Sequence, residues 1–341
     1  MKIILFHILL LFLQTATGQG TNGTAVKHFK RINFEPTIFY RDYYSGTAPV
    51  LTINPGDTVS TESIDAGGYD EKGLKVSERG NPLTGPFFIE GAAPGDAIAV
   101  TITKLSLNRN YATTLEALTP RSLPGKDAKQ KWRTAKLVKW NLDLENNIAT
   151  PVNKHEHLQD FKIPLHPFWG CVGVAPAGVK KIPTGASGVY GGNLDFKFIT
   201  QSATVYLPVY HSGALLFMGD GHAVQGDGEL NGDALETSMS FEFTVRVIKN
   251  GAAELQHPRA EDSNYIMAFG IEKNLDEALK TATQNLLNWL QKDYQLSYIE
   301  ATQVIGTSVN YFIPKIAATI VEIAAMIPKK ILEPLKNITE E

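Results

Sequence analysis

The stretch Phe241–Ile248 reads FEFTVRVI, in which Phe and Val side chains alternate with Glu, Thr and Arg. Alternation with a period of two residues is typical of a β-strand that buries one face. The runs Ala97–Leu105 and Ala214–Met218 are also strand-like, and residues 30–250 read mainly as strands separated by turns. This part of the chain therefore predicts a mainly β fold built from sandwich-like or barrel-like sheets.

The hydrophobic period changes from that of strands to that of helices after residue 272. Two residues with the character of helix N-caps, Asn274 and Ser297, each stand three positions before a glutamate, which is the spacing of a capping box. A third helix is predicted from Pro314 to Met326. Strands that precede helices indicate an α+β protein with C-terminal helices rather than a doubly wound sheet.

The N-terminus has the pattern of a secretory signal. One lysine precedes the apolar run Ile3–Leu13, which is too short to span a bilayer, and small residues follow as far as Gly18. We therefore expect residues 1–18 to be a signal peptide of a secreted or periplasmic protein with no stable membrane anchor. Cys171 is the one cysteine, so no internal disulfide can form, and its apolar surroundings predict a small buried hydrophobe.

Composition divides the remaining chain into further segments. Residues 19–271 form the β-rich region, residues 272–327 are predicted to be a helical part of the same domain, and residues 328–341 read as a tail. Within the β-rich region, residues 111–165 are charged and carry few apolar runs. They predict an insertion containing a hairpin, which is either a solvated excursion or a flap over a binding site.

Composition and missing motifs exclude several classes of function. The chain has 341 residues, 43% of them hydrophobic and 20% charged, with a net charge of −3. This is ordinary globular composition, and nothing in it indicates binding to nucleic acid or to an anionic membrane. The sequence also lacks a phosphate-binding loop, a dinucleotide fingerprint and the nucleophile elbow of serine hydrolases.

The stretch Gly219–Glu229, GDGHAVQGDGE, places three carboxylates and one imidazole within ten residues, among four glycines. Carboxylates and neutral histidine are natural ligands of a divalent metal and are also proton carriers. The alternative interpretation is an acidic surface turn between strands. Part of the stretch imitates a calcium-binding loop, but Ser238 occupies the position at which an EF-hand has glutamate.

Several motifs, taken in order, resemble the acetamidase/formamidase family of metal-associated amidases. The resemblance covers roughly residues 45–320 and departs from the family pattern at the charged insertion and the secretion signal. The matching motifs are NPLTGPFFIEGAAPGDAIAV (81–100), HPFWGCVGVAPA (166–177), GGNLD (191–195) and LPVYHSGALLFMGDGHAVQGDGE (207–229), together with the helical C-terminus.

The resemblance implies hydrolysis of a short carboxamide, such as formamide or acetamide, to the carboxylate and ammonia, with a divalent metal that we expect to be zinc. Asp195 and His222 are the first candidate ligands, and Asp65 and Asp220 are further oxygen ligands. Glu229 is the candidate general base, with His222 as the second catalytic residue. The alternative role of Glu229 is a second ligand or a structural partner. A separate structural calcium ion and a homo-oligomeric state complete this expectation.

Four residues beside the matched motifs are candidate substrate contacts: Asn193, Glu90, His166 and Phe168. An amide pocket needs an apolar wall and a few fixed polar groups, although an aromatic residue beside a strand is commonly core. Two readings compete with the enzyme. One is an exported β-sandwich binding module whose acidic loop holds a structural ion. The other is an inactive relative of the enzymes, which keeps the fold but has an incomplete site.

Overall fold

The computed structural model describes residues 29–153 and 155–336, so the predicted signal peptide lies outside the described residues. Strands dominate the fold, and helices follow them near the C-terminus, which confirms the α+β prediction. The strands in chain order are β1 (Arg31–Asn33), β2 (Asp42–Tyr43), β3 (Leu51–Ile53), β4 (Thr58–Glu62), β5 (Leu83–Ile89), β6 (Ala97–Leu107), β7 (Tyr111–Leu115), β8 (Leu137–Asp143), β9 (Ile148–Pro151), β10 (Ile163–Pro164), β11 (Phe168–Val174), β12 (Ile182–Pro183), β13 (Ser187–Gly188), β14 (Gly191–Asn193), β15 (Thr204–Pro208), β16 (Leu216–His222), β17 (Glu236–Thr237), β18 (Met239–Ile248), β19 (Arg259–Glu261), β20 (Tyr265–Glu272), β21 (Asn310–Phe312) and β22 (Val321–Pro328). The helices are α1 (Asp127–Arg133), α2 (Leu275–Asp293), α3 (Tyr298–Ser308) and α4 (Lys329–Lys336), with short 3-10 turns at Glu156–Leu158 and Gly251–Glu254.

Most strands belong to two large sheets. The first has nine strands in the order β1-β4-β18-β6-β15-β19-β20-β22-β21. The second has eleven, with the path β10-β9-β8-β7-β17-β16-β11-β14-β13, with β5 paired to β16 and β3 paired to β5. Strand β18 contains the FEFTVRVI stretch and pairs with β6 from Met239↔Leu107 to Ile248↔Ala97. The alternation in the sequence is realised because Phe241, Phe243 and Val245 are buried on β18.

The main hydrophobic core lies between the two sheets. It takes Ile98 and Phe243 from the nine-stranded sheet and Trp169 and Phe217 from the eleven-stranded sheet. Trp169 packs edge-on against Phe241, with ring centroids 4.6 Å apart. Side chains of both sheets therefore share one core, as in a β-sandwich.

The predicted helices α2 and α3 are confirmed, together with their caps. The Asn274 side chain accepts a hydrogen bond from the backbone N–H of Glu277 at the start of α2, and Ser297 and Glu300 form a complete capping box at α3. Helix α2 packs on β20 and β22 through a second core that includes Ala282. The helices therefore cover the outer face of the nine-stranded sheet.

The predicted third helix over Pro314–Met326 is wrong. Strand β22 (Val321–Pro328) occupies most of this region and pairs with β20 on one side and β21 on the other. Residues 321–327 are all buried, and an apolar run that is buried on both faces carries no period that distinguishes a strand from a helix. The predicted tail likewise begins with an ordered helix, α4, while residues 337–341 lie outside the described part.

The charged segment 111–165 extends the eleven-stranded sheet. Strands β8 and β9 form the predicted hairpin, with Trp140 opposite Pro151 and Asp143 opposite Ile148, and the short helix α1 was not foreseen. The segment is therefore built into the fold, and it shares a small core with Ala223 and Leu235. Among the described residues, no helix has the length and apolar character needed to cross a membrane.

Candidate active site

Strand pairing brings three of the sequence motifs together. Strand β11 lies between β14 and β16, so Cys171 faces Asn193 on one side and Gly219 on the other. Phe168 stands opposite His222 in the same register. The motifs HPFWG, GGNLD and GDGH therefore meet in the centre of the eleven-stranded sheet.

His222 is the centre of a buried cluster of carboxylates. Its Nε2 atom lies 3.3 Å from Oε1 of Glu236, 3.7 Å from Oδ2 of Asp220 and 3.9 Å from Oδ1 of Asp195. His222 is fully buried, and the Phe168 ring meets the imidazole edge to face with centroids 4.8 Å apart. Three acids around one imidazole, away from water, require compensation from a proton, a cation or both.

Asp195 has one oxygen held by the protein and one left free. Its Oδ2 accepts a hydrogen bond of 2.8 Å from Nδ2 of Asn193 and an ion pair of 2.7 Å from Nζ of Lys315. Its Oδ1 is buried and has no hydrogen-bond partner among the described residues. The held oxygen fixes the direction in which the free one points.

Asp220 and Glu236 repeat this arrangement. Oδ2 of Asp220 accepts a 2.7 Å hydrogen bond from Nδ2 of Asn81, and Oε1 of Glu236 accepts one of 2.9 Å from the backbone N–H of Ala234. Within residues 29–153 and 155–336, the second oxygen of each carboxylate and both ring nitrogens of His222 are buried without a hydrogen bond. Unpaired buried polar atoms are costly, so these residues carry polar atoms that a bound cation would satisfy.

The donor set fits a divalent metal. Ligand atoms of Asp195, Asp220 and His222 all lie within 4.8 Å of one another, and His222, Glu229 and Glu236 form a second such group. Gly170 lies beneath the first group, because a methyl group there would lie 2.6 Å from Oδ2 of Asp220. Carboxylate oxygens with one imidazole suit zinc and also harder cations.

The backbone at the cluster departs from ordinary strand geometry. Asp195, Asp220 and Glu229 have φ angles of +46°, +61° and +48°, in the left-handed region that residues with a side chain rarely adopt. Such conformations persist where the surrounding structure enforces them, and they are concentrated at functional sites. The glycines around these residues in the GDGHAVQGDGE stretch supply the room for close approach.

Burial and mutual repulsion shift the protonation of the acids. Burial, with the charge of Asp195, raises the pKa of Glu229 well above its usual range, although Lys315 acts in the opposite direction. Burial and the charges of neighbouring carboxylates, Asp220 first, likewise raise the pKa of Glu236. For His222, burial lowers the pKa but Asp220 outweighs it, so the net shift is upward. The net effect of burial and neighbouring charges is thus to raise the pKa of all three groups, as is common at functional sites.

Lys315 and Glu322 belong to the site but were missed by sequence reasoning. Nζ of Lys315 donates to the backbone carbonyl of Asn193 and lies 3.4 Å from Oε1 of Glu322, which also accepts a hydrogen bond from Ser187. Burial, opposed by Lys315, raises the pKa of Glu322 to about 7. Both residues fall in the stretch predicted as a helix, so no local signal pointed to them. Glu236 was also missed, and only its closeness to the acidic stretch could have suggested it.

The structure does not bring Asp65 to the cluster. Its Oδ2 binds Nη2 of Arg109 at 2.7 Å and its Oδ1 accepts the backbone N–H of Tyr69 at 2.9 Å. Both oxygens are therefore used in a buried ion pair, which leaves no free ligand atom. The expected oxygen ligand is better described as the counter-ion of Arg109.

The candidate substrate contacts separate into two pairs. Phe168 contacts His222, and Asn193 is at the cluster, where its Nδ2 donates to Asp195 and its Oδ1 accepts from the Cys171 thiol at 2.9 Å. The Cys171 side chain is buried, as expected, but its sulfur faces these polar groups. Glu90 and His166 are exposed and line neither the cluster nor the groove described next.

A groove of about 500 Å³ adjoins the cluster. One side is formed by residues 224–235, including Glu229, and the other by residues 114–163 of the charged segment. Glu229 is 6% exposed and is the residue that the groove shares with the cluster. The groove therefore offers a route from the surface to the buried acids.

Comparisons with known proteins agree with this description. A model of the acetamidase/formamidase family matches residues 173–321. A formamidase from Methylophilus methylotrophus is 26% identical over 298 residues, which are 78% of this chain and 70% of the relative. The crystal structure of an acetamidase from Bacillus halodurans aligns with a TM-score of 0.75 at 26% identity, covering 89% of this chain and 99% of that chain. An acetamidase from Yersinia enterocolitica aligns with a TM-score of 0.77 at 27% identity, covering 90% and 94%.

Fold and site together define a mainly β protein with a buried cluster of acids around one histidine that could hold a metal ion. The family match and the aligned relatives confirm the resemblance to the acetamidase/formamidase family that the sequence motifs indicate.

Proposed function

We propose that the protein is an amidase that hydrolyses linear carboxamides to the carboxylate and ammonia. The observation that carries this proposal is the position of Glu229, which lies between the acid and histidine cluster and an open groove. A binding module with a structural ion has no need of a carboxylate in that position. The names of the aligned relatives, formamidase and acetamidase, support short amides as the substrate class.

The activity is proposed to depend on a divalent metal, with zinc favoured. Asp195, Asp220 and His222 would hold it, because one ligand atom of each lies within 4.8 Å of the others and Gly170 leaves room beside them. When bound, the metal supplies a Lewis acid for the amide oxygen and lowers the pKa of water. Asp65 is left out of the ligand set, since Arg109 uses its carboxylate.

The protein's own residues then orient groups and move protons. Asn193 and Lys315 hold Asp195 in its direction, and Asn81 does the same for Asp220. Glu229 takes a proton from the attacking water and returns it to the leaving nitrogen, so one carboxylate serves first as general base and then as general acid.

The decisive variant is Glu229→Gln, with Glu90→Gln as the matched control. If Glu229 is the base, Glu229→Gln keeps the fold and the bound metal while kcat falls by about 10²-fold or more. Glu90 is exposed and outside the site, so Glu90→Gln retains wild-type activity. Metal content by mass spectrometry separates the two roles of Glu229: loss of metal together with activity would make it a ligand instead.

Ammonia release from formamide, acetamide and propionamide tests the activity itself, before and after chelation and with zinc, calcium or manganese added back. Turnover that is lost on chelation and restored by one metal supports the proposal and identifies the ion. Absence of turnover with every amide and metal favours the exported binding module.

Export and self-association complete the proposal. The pattern of residues 1–18 supports a secreted or periplasmic protein, and N-terminal sequencing of the mature chain should begin near residue 19. A homo-oligomer is supported by exposed apolar side chains on α3, including Tyr298 and Ile299. Light scattering of the purified protein measures its mass directly.

A further inference from the structure

We infer that the groove beside Glu229 binds a large, uncharged, apolar acyl group of the substrate. The preferred substrates are then primary amides with an arylalkyl or branched acyl chain, rather than formamide or acetamide. This inference rests on the proposed amidase activity and adds to it the residues that determine specificity.

The groove is continuous with the chemistry. Glu229 lines it, and the same carboxylate has its ligand atom within 4.8 Å of those of His222 and Glu236. A carbonyl group at the cluster therefore has its acyl substituent directed either into protein or into this groove. Because the cluster is otherwise buried, the groove is the place where a larger substituent fits.

Apolar side chains line the groove both at its floor and at its rim. Trp140, Ile163 and Val224 form the floor and pack on the small core of the charged segment. Leu158 and Phe161 stand at the rim and are 36% and 44% exposed. Exposed apolar side chains that are grouped around a concavity are typical of a binding site, whereas apolar side chains scattered singly over a surface are ordinary.

Two aromatic side chains line the groove side by side. The Trp140 and Phe161 rings lie edge to face with centroids 6.0 Å apart, and both line the groove. A phenyl group gains from such an arrangement beyond its buried area, whereas a methyl group cannot.

The acids along the groove have partners, which favours an uncharged occupant. Asp227 pairs with Lys197 at 2.8 Å, and Asp233 pairs with Arg79 at 2.6 Å. Oε1 of Glu116 accepts a hydrogen bond from a backbone N–H in the same segment. A charged acyl chain would have to compete with these contacts, while an apolar chain leaves them intact.

Volume supports the same conclusion. A groove of about 500 Å³ lies within the range of roughly 300–1,000 Å³ that is typical of sites for drug-sized ligands. Formamide and acetamide displace only a few water molecules of about 30 Å³ each. They would leave most of the groove filled with water against apolar walls.

The test compares kcat/KM for acetamide, isovaleramide and phenylacetamide with the purified protein. We expect kcat/KM to rise along this series, by about tenfold or more from acetamide to phenylacetamide, as added apolar contacts predict. Trp140→Ala and Phe161→Ala should each lower the phenylacetamide-to-acetamide ratio about fivefold or more. Phe29→Ala, an exposed aromatic outside the groove, should leave the ratio unchanged.

Two results separate this inference from the amidase proposal. Hydrolysis of acetamide with no gain for the larger amides, or ratios unaffected by Trp140→Ala and Phe161→Ala, overturns the inference and leaves the amidase standing. If no amide is hydrolysed, binding of phenylacetamide followed by NMR decides: saturable binding that weakens in Phe161→Ala supports the groove, and lack of binding overturns it. The exposed position of Phe161 keeps that variant folded even if Trp140→Ala is unstable.

Discussion

Two buried groups of charges lie close together in this protein, and they differ in how their oxygen atoms are used. In the ion pair of Asp65 with Arg109, both carboxylate oxygens of Asp65 are hydrogen-bonded. In the cluster around His222, Asp195 and Asp220 each keep one buried oxygen free of hydrogen bonds within the described part of the chain. The first group is complete without any ligand, whereas the second has the groups that could hold a metal ion.

The two groups are also connected. Nη2 of Arg109 donates to Oδ2 of Asp65 and to the backbone carbonyl of Glu236. The satisfied pair therefore holds in place a strand that carries a member of the unsatisfied cluster. The difference teaches that burial and charge alone do not single out a functional acid, and that a buried oxygen without a hydrogen bond is the feature that needs an explanation.

The largest effect is expected when the paired site is broken. Arg109→Met leaves the Asp65 carboxylate buried without its cation, which should lower the free energy of unfolding by about 3–5 kcal/mol. Urea denaturation measures this change. Arg31→Met is the matched control, because its ion pair with Glu242 has an arginine that is 61% exposed, and such pairs contribute about 1 kcal/mol or less. Equal losses of unfolding free energy in both variants would show that the buried Asp65–Arg109 pair contributes no more to stability than an exposed ion pair.

The sequence predicted those parts of the fold that depend on local pattern. The alternation in β18 and the caps at Asn274 and Ser297 are local signals, and the structure confirms them. Strand β22 was missed because its apolar run is buried on both faces and so has no period. Its identity depends on pairing with β20, which is more than forty residues away in the chain and leaves no trace in a short window.

For the site, too, residues in local motifs could be predicted from the sequence, whereas residues that folding brings in from a distance could not. Asp195, Asp220, His222 and Glu229 are candidates from the sequence because they stand in glycine-rich motifs, and the structure brings them together in two adjoining groups. Asp65 was misplaced because its partner Arg109 lies 44 residues further along, where only folding brings the two together. Glu236 reaches His222 through strand register, and Lys315 through the packing of a distant loop. Neither relation is encoded in the spacing of residues.

A second, smaller effect comes from filling the space beside the Asp195 and Asp220 carboxylates. The methyl group of Gly170→Ala would lie 2.6 Å from Oδ2 of Asp220 and 2.9 Å from Oδ1 of Asp195, so these side chains must move. We expect metal affinity to fall by roughly 10–100-fold, as when ligand orientation is lost. Titration against a competing chelator measures this.

Gly306→Ala in α3 is the control for that variant, because its methyl group would meet no atom within 4 Å. It should leave metal affinity unchanged and stabilise the helix by about 1 kcal/mol. If Gly170→Ala leaves metal affinity unaltered, the metal does not bind at this cluster.

The smallest expected effect gives the most direct comparison of the Asp65–Arg109 pair with the cluster around His222. In metal-free protein, the same change, from a carboxylate to a carboxamide, is made at each site. Asp65→Asn should lower the free energy of unfolding by about 1–3 kcal/mol, since the buried Arg109 loses its counter-ion. Glu236→Gln should leave it equal to or higher than that of the wild type. Its retained oxygen can still accept from Ala234, and the repulsion from Asp220 is removed.

The sign of the pH dependence follows from the raised pKa of Glu236. Because the folded protein binds this proton more tightly than the unfolded chain, wild-type stability falls as pH rises above the ordinary glutamate value of about 4.3. Glu236→Gln lacks that loss, so its advantage over the wild type should grow from pH 5 to pH 8 in urea denaturation. An advantage that shrinks over this range would mean that the Glu236 carboxylate is stabilised by its neighbours, and the two sites would then not differ in the way proposed.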